Sequence, residues 1–259
     1  MNSHRKVIGI GLLGLGVVGG GVLKAINGKS TLLAQEIGLP VSVIKVLVRD
    51  LNKERHLEVT KSLLTTDPME VIASPDVDVV IEVMGGEQPA LDYISKAIQM
   101  GKSVITANKE VMAKHGYELL GMAMERGVHL LFEASVGGGI PIIGPLTKDL
   151  AANNIEATRA IINGTTNYIL TKMSYDDMEF GDALREAQAL GYAEADPASD
   201  IEGTDAAYKL AILASLAFRT RVKNEDVYRE GISSITAKDI RYADELGYAV
   251  KLMAIAKRR

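Results

Sequence analysis

Residues 7–23 read VIGIGLLGLGVVGGGVL. A short apolar run enters Gly14-Leu15-Gly16-Val17-Val18-Gly19 and continues into a helical pattern. This is G-x-G-x-x-G in the context that gives the motif meaning: a strand before it, a helix after it. Gly14 permits a tight turn. Gly16 lets a pyrophosphate approach the backbone, and Gly19 lets helix and strand pack closely. The phosphate would rest on the free N–H groups at the helix start. A secretory leader or a membrane span is the competing reading of the same stretch. Glycines at positions 9, 11, 14, 16, 19, 20 and 21 argue against both. No small-residue cleavage pattern follows, and the run is short for a span.

The pattern outward from this turn is that of a doubly wound α/β domain. Strands are expected at Lys6–Leu12, Val41–Val48, Val77–Val83, Ser103–Thr106 and Val128–Ala134. They are rich in Val and Ile with little polar alternation, as strands covered on both faces are. Helices are expected at Val18–Glu36, Pro89–Met100 and Lys109–Arg126. Near residue 135 the pattern changes: SVGGGIPIIGPL looks like a hinge. Beyond it an α+β half is expected. Its elements are a strand at Ala157–Asn163, helices at Thr165–Tyr175, Gly181–Leu190, Thr204–Phe218 and Thr236–Leu246, and a last strand at Ala249–Ala256. The expected domains are residues 1–134 and 135–259.

Composition narrows the chemistry. The chain has 259 residues, 47% of them hydrophobic, which is ample for a packed core. A net charge of −4 without a long basic run argues against nucleic acid as a partner. Cysteine is absent, which excludes disulfides, thiolate zinc sites and thioester chemistry and fits a cytoplasmic location.

Ligands of open parallel sheets bind beyond the C-terminal strand ends. The second expected strand ends at Arg49-Asp50, about thirty residues past Gly19 where about twenty is usual. A longer helix or an intervening loop must fill the gap. Arg49 could hold a 2′-phosphate, favouring NADP. Asp50 could instead accept from a 2′-hydroxyl, favouring NAD. Met84-Gly85-Gly86 could approach the cofactor closely. Thr106-Ala107-Asn108-Lys109 ends another strand, and a cation opening a helix is electrostatically disfavoured unless a ligand faces it. Glu133 with the glycine loop after it offers one carboxylate and several carbonyls, a donor set for a hard cation.

The second half holds the sharper puzzle. In GYAEADPASDIEGTDAAYKLAILASLAF, residues 191–218, Lys209 stands in an oily helix. Glu194, Asp196, Asp200, Glu202 and Asp205 lie just upstream. Asp205 and Lys209 are four apart and share a helix face. An exposed pair would yield only about 0.2–0.5 kcal/mol, little against the cost of burying an ammonium. Lys209 is therefore expected to face a cavity and manage a proton at a carbonyl receiving hydride. Glu194 and Asp200 could grip a substrate ammonium. Asn163-Gly164-Thr165-Thr166, at a strand-to-helix junction, could take a substrate carboxylate on its N–H groups.

Together these residues resemble the homoserine dehydrogenase family. The motifs are GLGVVGGG, TANKE, FEASVGGGIPII, INGTTNYIL, GYAEADPASDIEGTDAAYKL and VKLMAIAK. The resemblance implies a Rossmann-type domain with an α/β substrate domain through which subunits pair as a homodimer or homotetramer. It implies NAD(P)-dependent interconversion of L-homoserine and L-aspartate 4-semialdehyde. Lys209 would be the proton donor, and Lys109 would act at the reacting centre and contact the cofactor. Glu194 would bind homoserine, with Asp205 near its reacting end, Asp200 in the same pocket, and Gly164 and Thr165 lining it. Leu15, Val17, Val18 and Gly191 would contact the cofactor. Glu133 with the carbonyls of Val136, Gly138 and Ile140 would hold a monovalent cation, sodium. Family members continue past VKLMAIAK, so a chain ending at Arg259 is expected to be truncated. A nucleotide-binding sensor without turnover is the alternative.

Overall fold

The computed structural model describes residues 7–55 and 58–258. Lys6, the expected start of the first strand, lies outside them. Two compact units meet in sequence between Ile140 and Pro141, inside the glycine- and proline-rich stretch.

The first unit is wound from β1 (Ile8–Leu13), α1 (Val17–Gly28), α2 (Ser30–Ile37), β2 (Val41–Leu47), β3 (Leu64–Thr65) and α3 (Pro68–Ile72). It continues through β4 (Val79–Glu82), α4 (Ala90–Gln99), β5 (Ser103–Thr106), α5 (Lys109–Arg126) and β6 (Leu130–Leu131). The six strands are parallel in the order β3-β2-β1-β4-β5-β6. That is the doubly wound Rossmann order, with its switch point between β1 and β4. Adjacent Leu12 and Leu13 point to opposite faces of the sheet and are both fully buried. Layers of helix cover both faces, as the unbroken apolar strands require. Ile10, Leu12, Val43, Val46 and Ile81 of the sheet pack against Leu23 and Ile26 of α1.

Two expectations for this unit need correction, and one strand was not expected. The single helix Val18–Glu36 is two helices broken at Lys29, whose φ of −118° and ψ of 22° leave the α region. Gly28 before it and Ser30 after it are poor helix interior residues. This extra helix accounts for the long spacing from Gly19 to the end of β2. The strand expected at Val128–Ala134 pairs only at Leu130 and Leu131, and the chain then coils into a 3-10 turn at Glu133–Ser135. The two-residue β3 has no periodicity to announce it.

In the second unit β7 (Ala157–Ala160) and β8 (Ala254–Lys257) form an antiparallel pair. Between them run α6 (Gly164–Tyr175), α7 (Phe180–Ala189), α8 (Ala198–Ile201), α9 (Thr204–Phe218) and α10 (Ala237–Glu245). Ile169, Leu170 and Met173 of α6 pack on Ala183 and Ala187 of α7, with Ile232 and Ile240 closing the cluster. The strand expected from Ala249 begins five residues later, because pairing with the four residues of β7 fixes its extent. Among the described residues no helix is long and apolar enough to cross a membrane.

The first turn is held by close backbone approach. Gly14 has φ of +103°, and a Cβ added to Gly19 would fall 2.1 Å from the Gly14 carbonyl oxygen. Gly19→Ala is expected to destabilise the protein by about 1–3 kcal/mol, the usual cost of overpacking. Gly28→Ala, where an added Cβ meets nothing within 4 Å, is the control. Urea unfolding measures both; equal midpoints would show that the turn tolerates the methyl group.

Candidate active site

The C-terminal edge of the parallel sheet opens on a cavity of about 470 Å³. Gly14, Leu15 and Gly16 line one side; Leu47, Val48, Arg49, Asp50, Lys53 and Arg55 line another, with Val83, Met84 and Tyr93 nearby. Helix α1 starts at its rim. Gly16 is the N-cap with no side-chain hydrogen bond, and no acidic residue stands in the first turn. By contrast α3, α5 and α6 are capped by Asp67, Asn108 and Asn163. The bare N–H groups of α1 suit an anion. A Cβ on Gly16 would meet nothing within 4 Å, so that side is open, and Val17 is 96% exposed with Val18 also exposed. The residues present therefore fit a dinucleotide: open backbone at the turn, unsatisfied donors and an adjacent cationic loop.

Asp50 and Arg55 are committed to that loop. The Asp50 carboxylate accepts from the Asn52 N–H at 2.8 Å. Arg55 donates to the Asp50 carbonyl at 2.6 Å and to the Lys53 carbonyl at 2.8 Å. Arg49 is exposed beside them. Sequence reading missed Lys53 and Arg55, since isolated cations in a loop read as solubilising charge.

A hydrogen-bond chain orders the neighbouring strand ends. Glu82, fully buried at the end of β4, accepts from the Met84 N–H at 2.7 Å and from the Thr106 hydroxyl at 2.5 Å. Thr106 accepts from the Asn108 N–H at 2.9 Å, and the Asn108 amide donates to the Gly86 carbonyl at 2.7 Å. Gly85 and Gly86 both take positive φ here, 76° and 73°. Thr106 is fully buried and bridges Glu82 and Asn108, supporting both strand ends. Asn108 also caps α5 through the Val111 N–H, setting where Lys109 begins that helix. Glu87 joins the loop to α5, accepting from Lys114 at 2.6 Å and bonding His115 at 2.7 Å. These two bonds, Lys114 first, hold its carboxyl below the usual carboxylate range.

In the second unit the acid–lysine puzzle resolves. Helix α9 is buried nearly all round, from Ala206 to Ala217. The Lys209 side chain is 17% exposed, and its ammonium donates to the Asp205 carboxylate at 2.8 Å and to the Ile162 carbonyl at 3.0 Å. An ammonium has three donors, so one remains for a ligand. Asn163 sits behind: its amide nitrogen lies 2.7 Å from Asp200 Oδ1 and 2.8 Å from Asp205 Oδ2. Lys209, Asp205 and Asp200 are therefore brought together, and Asn163 is the member that sequence reading took only as backbone. The Glu194 side chain is exposed on the loop after α7 and is not bonded into this cluster. Asp196 is spent on the Ala198 N–H at 3.1 Å.

At the expected carboxylate cradle, Asn163–Thr166, one N–H is already engaged. The Thr166 N–H is taken by the Asn163 side chain at 2.8 Å, which leaves Gly164, exposed, and Thr165. The Thr165 hydroxyl donates to the Tyr192 carbonyl at 2.7 Å and ties down the Gly191–Glu194 loop. Tyr168 stacks near Tyr192 with ring centroids 4.8 Å apart. Its hydroxyl donates to Glu186, which raises the Tyr168 pKa and helps hold the Glu186 carboxyl low. Gly191 has φ of 78°. In the first unit, Glu133 is half-buried and Val136 buried, while Gly138 and Ile140 are exposed. Ile140 N–H closes a turn on the Gly137 carbonyl at 3.0 Å. Among the described residues no three acidic or imidazole side chains gather as a metal site.

Sheet order, glycine turn and cavity define a nicotinamide-dinucleotide-binding domain of Rossmann type, followed by a unit with a buried acid–lysine site. A family model for the NAD binding domain of homoserine dehydrogenase matches residues 14–133, and one for homoserine dehydrogenase matches 141–258. Homoserine dehydrogenase of Bacillus subtilis is 51% identical over 253 residues, covering 98% of this chain and 58% of the relative. The solved homoserine dehydrogenase of Thiobacillus denitrificans superimposes with a TM-score of 0.92 at 47% identity, covering 98% of this chain and 59% of that one. A structure from Archaeoglobus fulgidus, named provisionally as the same enzyme, gives 0.84 at 34% identity, covering 97% and 81%. The chain belongs to the homoserine dehydrogenase family. It spans about 57–58% of the length of the first curated relatives it matches.

Gly16→Ala separates binding from folding. The added methyl group projects into open space, so stability is expected to stay within about 1 kcal/mol of the native value while NADP affinity falls. Calorimetric titration with NADP beside urea unfolding reads both; undiminished affinity would remove the turn from the binding site.

Proposed function

We propose that this chain is the catalytic core of an NAD(P)-dependent homoserine dehydrogenase. The observation that carries the reading is the Lys209 ammonium, held by Asp205 and the Ile162 carbonyl within a buried helix. The first unit is assigned to the dinucleotide and the second to substrate. Gly14, Leu15, Gly16, Val17, Val18 and Gly19 would hold the pyrophosphate side, with Gly85, Lys109 and Gly191 as further contacts. Arg49 would meet a 2′-phosphate, which favours NADP; the Asp50 carboxylate already accepts from its own loop. The cofactor, when bound, supplies or accepts the hydride.

The chain's own residues manage the rest. In the reducing direction Lys209 gives a proton to the oxygen of L-aspartate 4-semialdehyde as its terminal carbon becomes the alcohol of L-homoserine. In the reverse direction the neutral amine takes that proton. Asp205 holds the ammonium in place at 2.8 Å. Glu194 and Asp200 would attract the substrate ammonium, and the Gly164 and Thr165 N–H groups its carboxylate. Glu133 with the carbonyls of Val136, Gly138 and Ile140 would hold sodium through hard oxygen donors. Pairing of copies as a homodimer or homotetramer is assigned to the second unit, where Ile161, Met253 and Ile255 are exposed on and beside the β7–β8 pair. A cysteine-free chain fits the cytoplasm.

Absorbance of reduced nicotinamide with homoserine tests the reading. Lys209→Ala is expected to lose at least about 100-fold in turnover, the usual worth of a positioned acid or base, while NADP titration is unchanged. Native turnover in that variant would remove the proton donor. NADP binding without any homoserine-dependent change in the native protein would leave a nucleotide-binding sensor. Arg49→Ala should weaken NADP by about tenfold or more, the worth of a charged hydrogen bond, and leave NAD unaffected. Equal losses for both cofactors would take the 2′-phosphate away from Arg49.

A further inference from the structure

Asn163 does more than cap a helix. Its side-chain oxygen accepts from the Thr166 N–H at 2.8 Å and from the Thr166 hydroxyl at 2.9 Å. Only oxygen can accept a backbone N–H, so the amide orientation is fixed by chemistry. The –NH₂ must then face the acids, and its nitrogen stands 2.7 Å from Asp200 Oδ1 and 2.8 Å from Asp205 Oδ2. Asp205 Oδ2 is the same oxygen that meets Lys209 at 2.8 Å. Asn163 is buried, and Asp205 is fully buried.

We propose that Asn163 is a positioning residue, a two-donor clasp that holds Asp200 and Asp205 side by side and keeps Asp205 against Lys209. The proposal rests on the proton-donor reading of Lys209 for its effect on turnover, but the clasp itself stands on the hydrogen bonds alone. Two carboxylates on one nitrogen repel strongly where water is excluded. An amide presents two N–H donors without adding charge, one for each acid. Thr166 locks the amide from behind, so α6 transmits its own rigidity to the acid–lysine pair. The hydrogen bonds here join three charged groups: Asp200 on α8, and Asp205 and Lys209 on α9. Lys251 adds a positive charge one turn along α6, where it bonds Asn167 and Thr171.

Asn163→Asp separates the two tasks. Aspartate caps helices as well as asparagine does, so the Thr166 N–H keeps its acceptor. The donors, however, become a third carboxylate. The variant is expected to fold with native helix content, bind NADP normally and lose about 100-fold in kcat. Its melting temperature should fall short of the native value most at about pH 8 and less at about pH 5. The sign follows from repulsion, which raises a folded-state carboxyl pKa above its unfolded value; the penalty is present at high pH and is relieved as a proton is taken up. A melting deficit that does not change with pH overturns the clasp, and so does native turnover in this variant. If the native protein itself shows no homoserine-dependent turnover, the functional reading fails while the melting comparison still decides the clasp. Should Asn163→Asp not fold, Asn163→Ser, which caps without adding charge, is expected to fold and lose similar turnover; native turnover there overturns the proposal.

Discussion

A carboxylate taken fully out of water must be met by donors, and each unit of this chain organises its functional end around one. In the first unit it is Glu82, in the second Asp205. Losing hydration costs such a group several kcal/mol, and only well-placed hydrogen bonds offset it. Glu82 is met by the Met84 N–H and the Thr106 hydroxyl; Asp205 is met by Lys209 and Asn163. In both cases the donors come from neighbouring segments, which the bonds hold in place. The desolvation penalty thus becomes a source of rigidity: moving the loop strands a buried charge.

The two solutions differ in what they leave over. Around Glu82 the chain is internally closed, passing through Thr106 and Asn108 to the Gly86 carbonyl. It shapes backbone and presents no spare donor from its members Glu82 and Thr106. Around Asp205 the network ends in an ammonium with two of its three donors used. A lysine with a pinned head and a spare N–H is a suitable proton carrier, because its geometry is fixed before substrate arrives. The same division separates Gly19 from Gly16. One glycine is needed for packing against Gly14; the other faces open space, where only a ligand gives its missing side chain a purpose.

Much of this was legible in the sequence because it is written in local pattern. The strand, glycine turn and helix at residues 8–28 announce themselves, and α9 begins and ends where its apolar pattern places it. The Asp205–Lys209 pair follows from helical spacing alone. What was hidden depends on partners distant in sequence. Strand β3 exists only because β2 offers an edge, and β8 starts only where β7 can pair with it. The break at Lys29 reflects modest propensities that an apolar pattern overrides in reading. Asn163 looked like any helix-starting asparagine, since the acids it meets lie 37 and 42 positions further on.

Five acids precede Lys209, and the structure gives them different work. Asp196 accepts from the Ala198 N–H, Glu194 stands exposed on a loop pinned at the Tyr192 carbonyl by Thr165, Glu202 is exposed at the end of α8, and Asp200 and Asp205 share one amide. Had all five converged on Lys209, their mutual repulsion would have forced protonation of some and left the ammonium without a defined partner. Separation solves this. One acid balances the lysine charge from inside, a second is held beside it by a neutral donor, and a third, Glu194, is exposed to solvent. An acidic cluster in sequence is thus a set of graded positions in space. Uncharged residues from the start of α6 take part in the grading: Asn163 holds Asp200 and Asp205, and Thr165 pins the loop before Glu194 at the Tyr192 carbonyl.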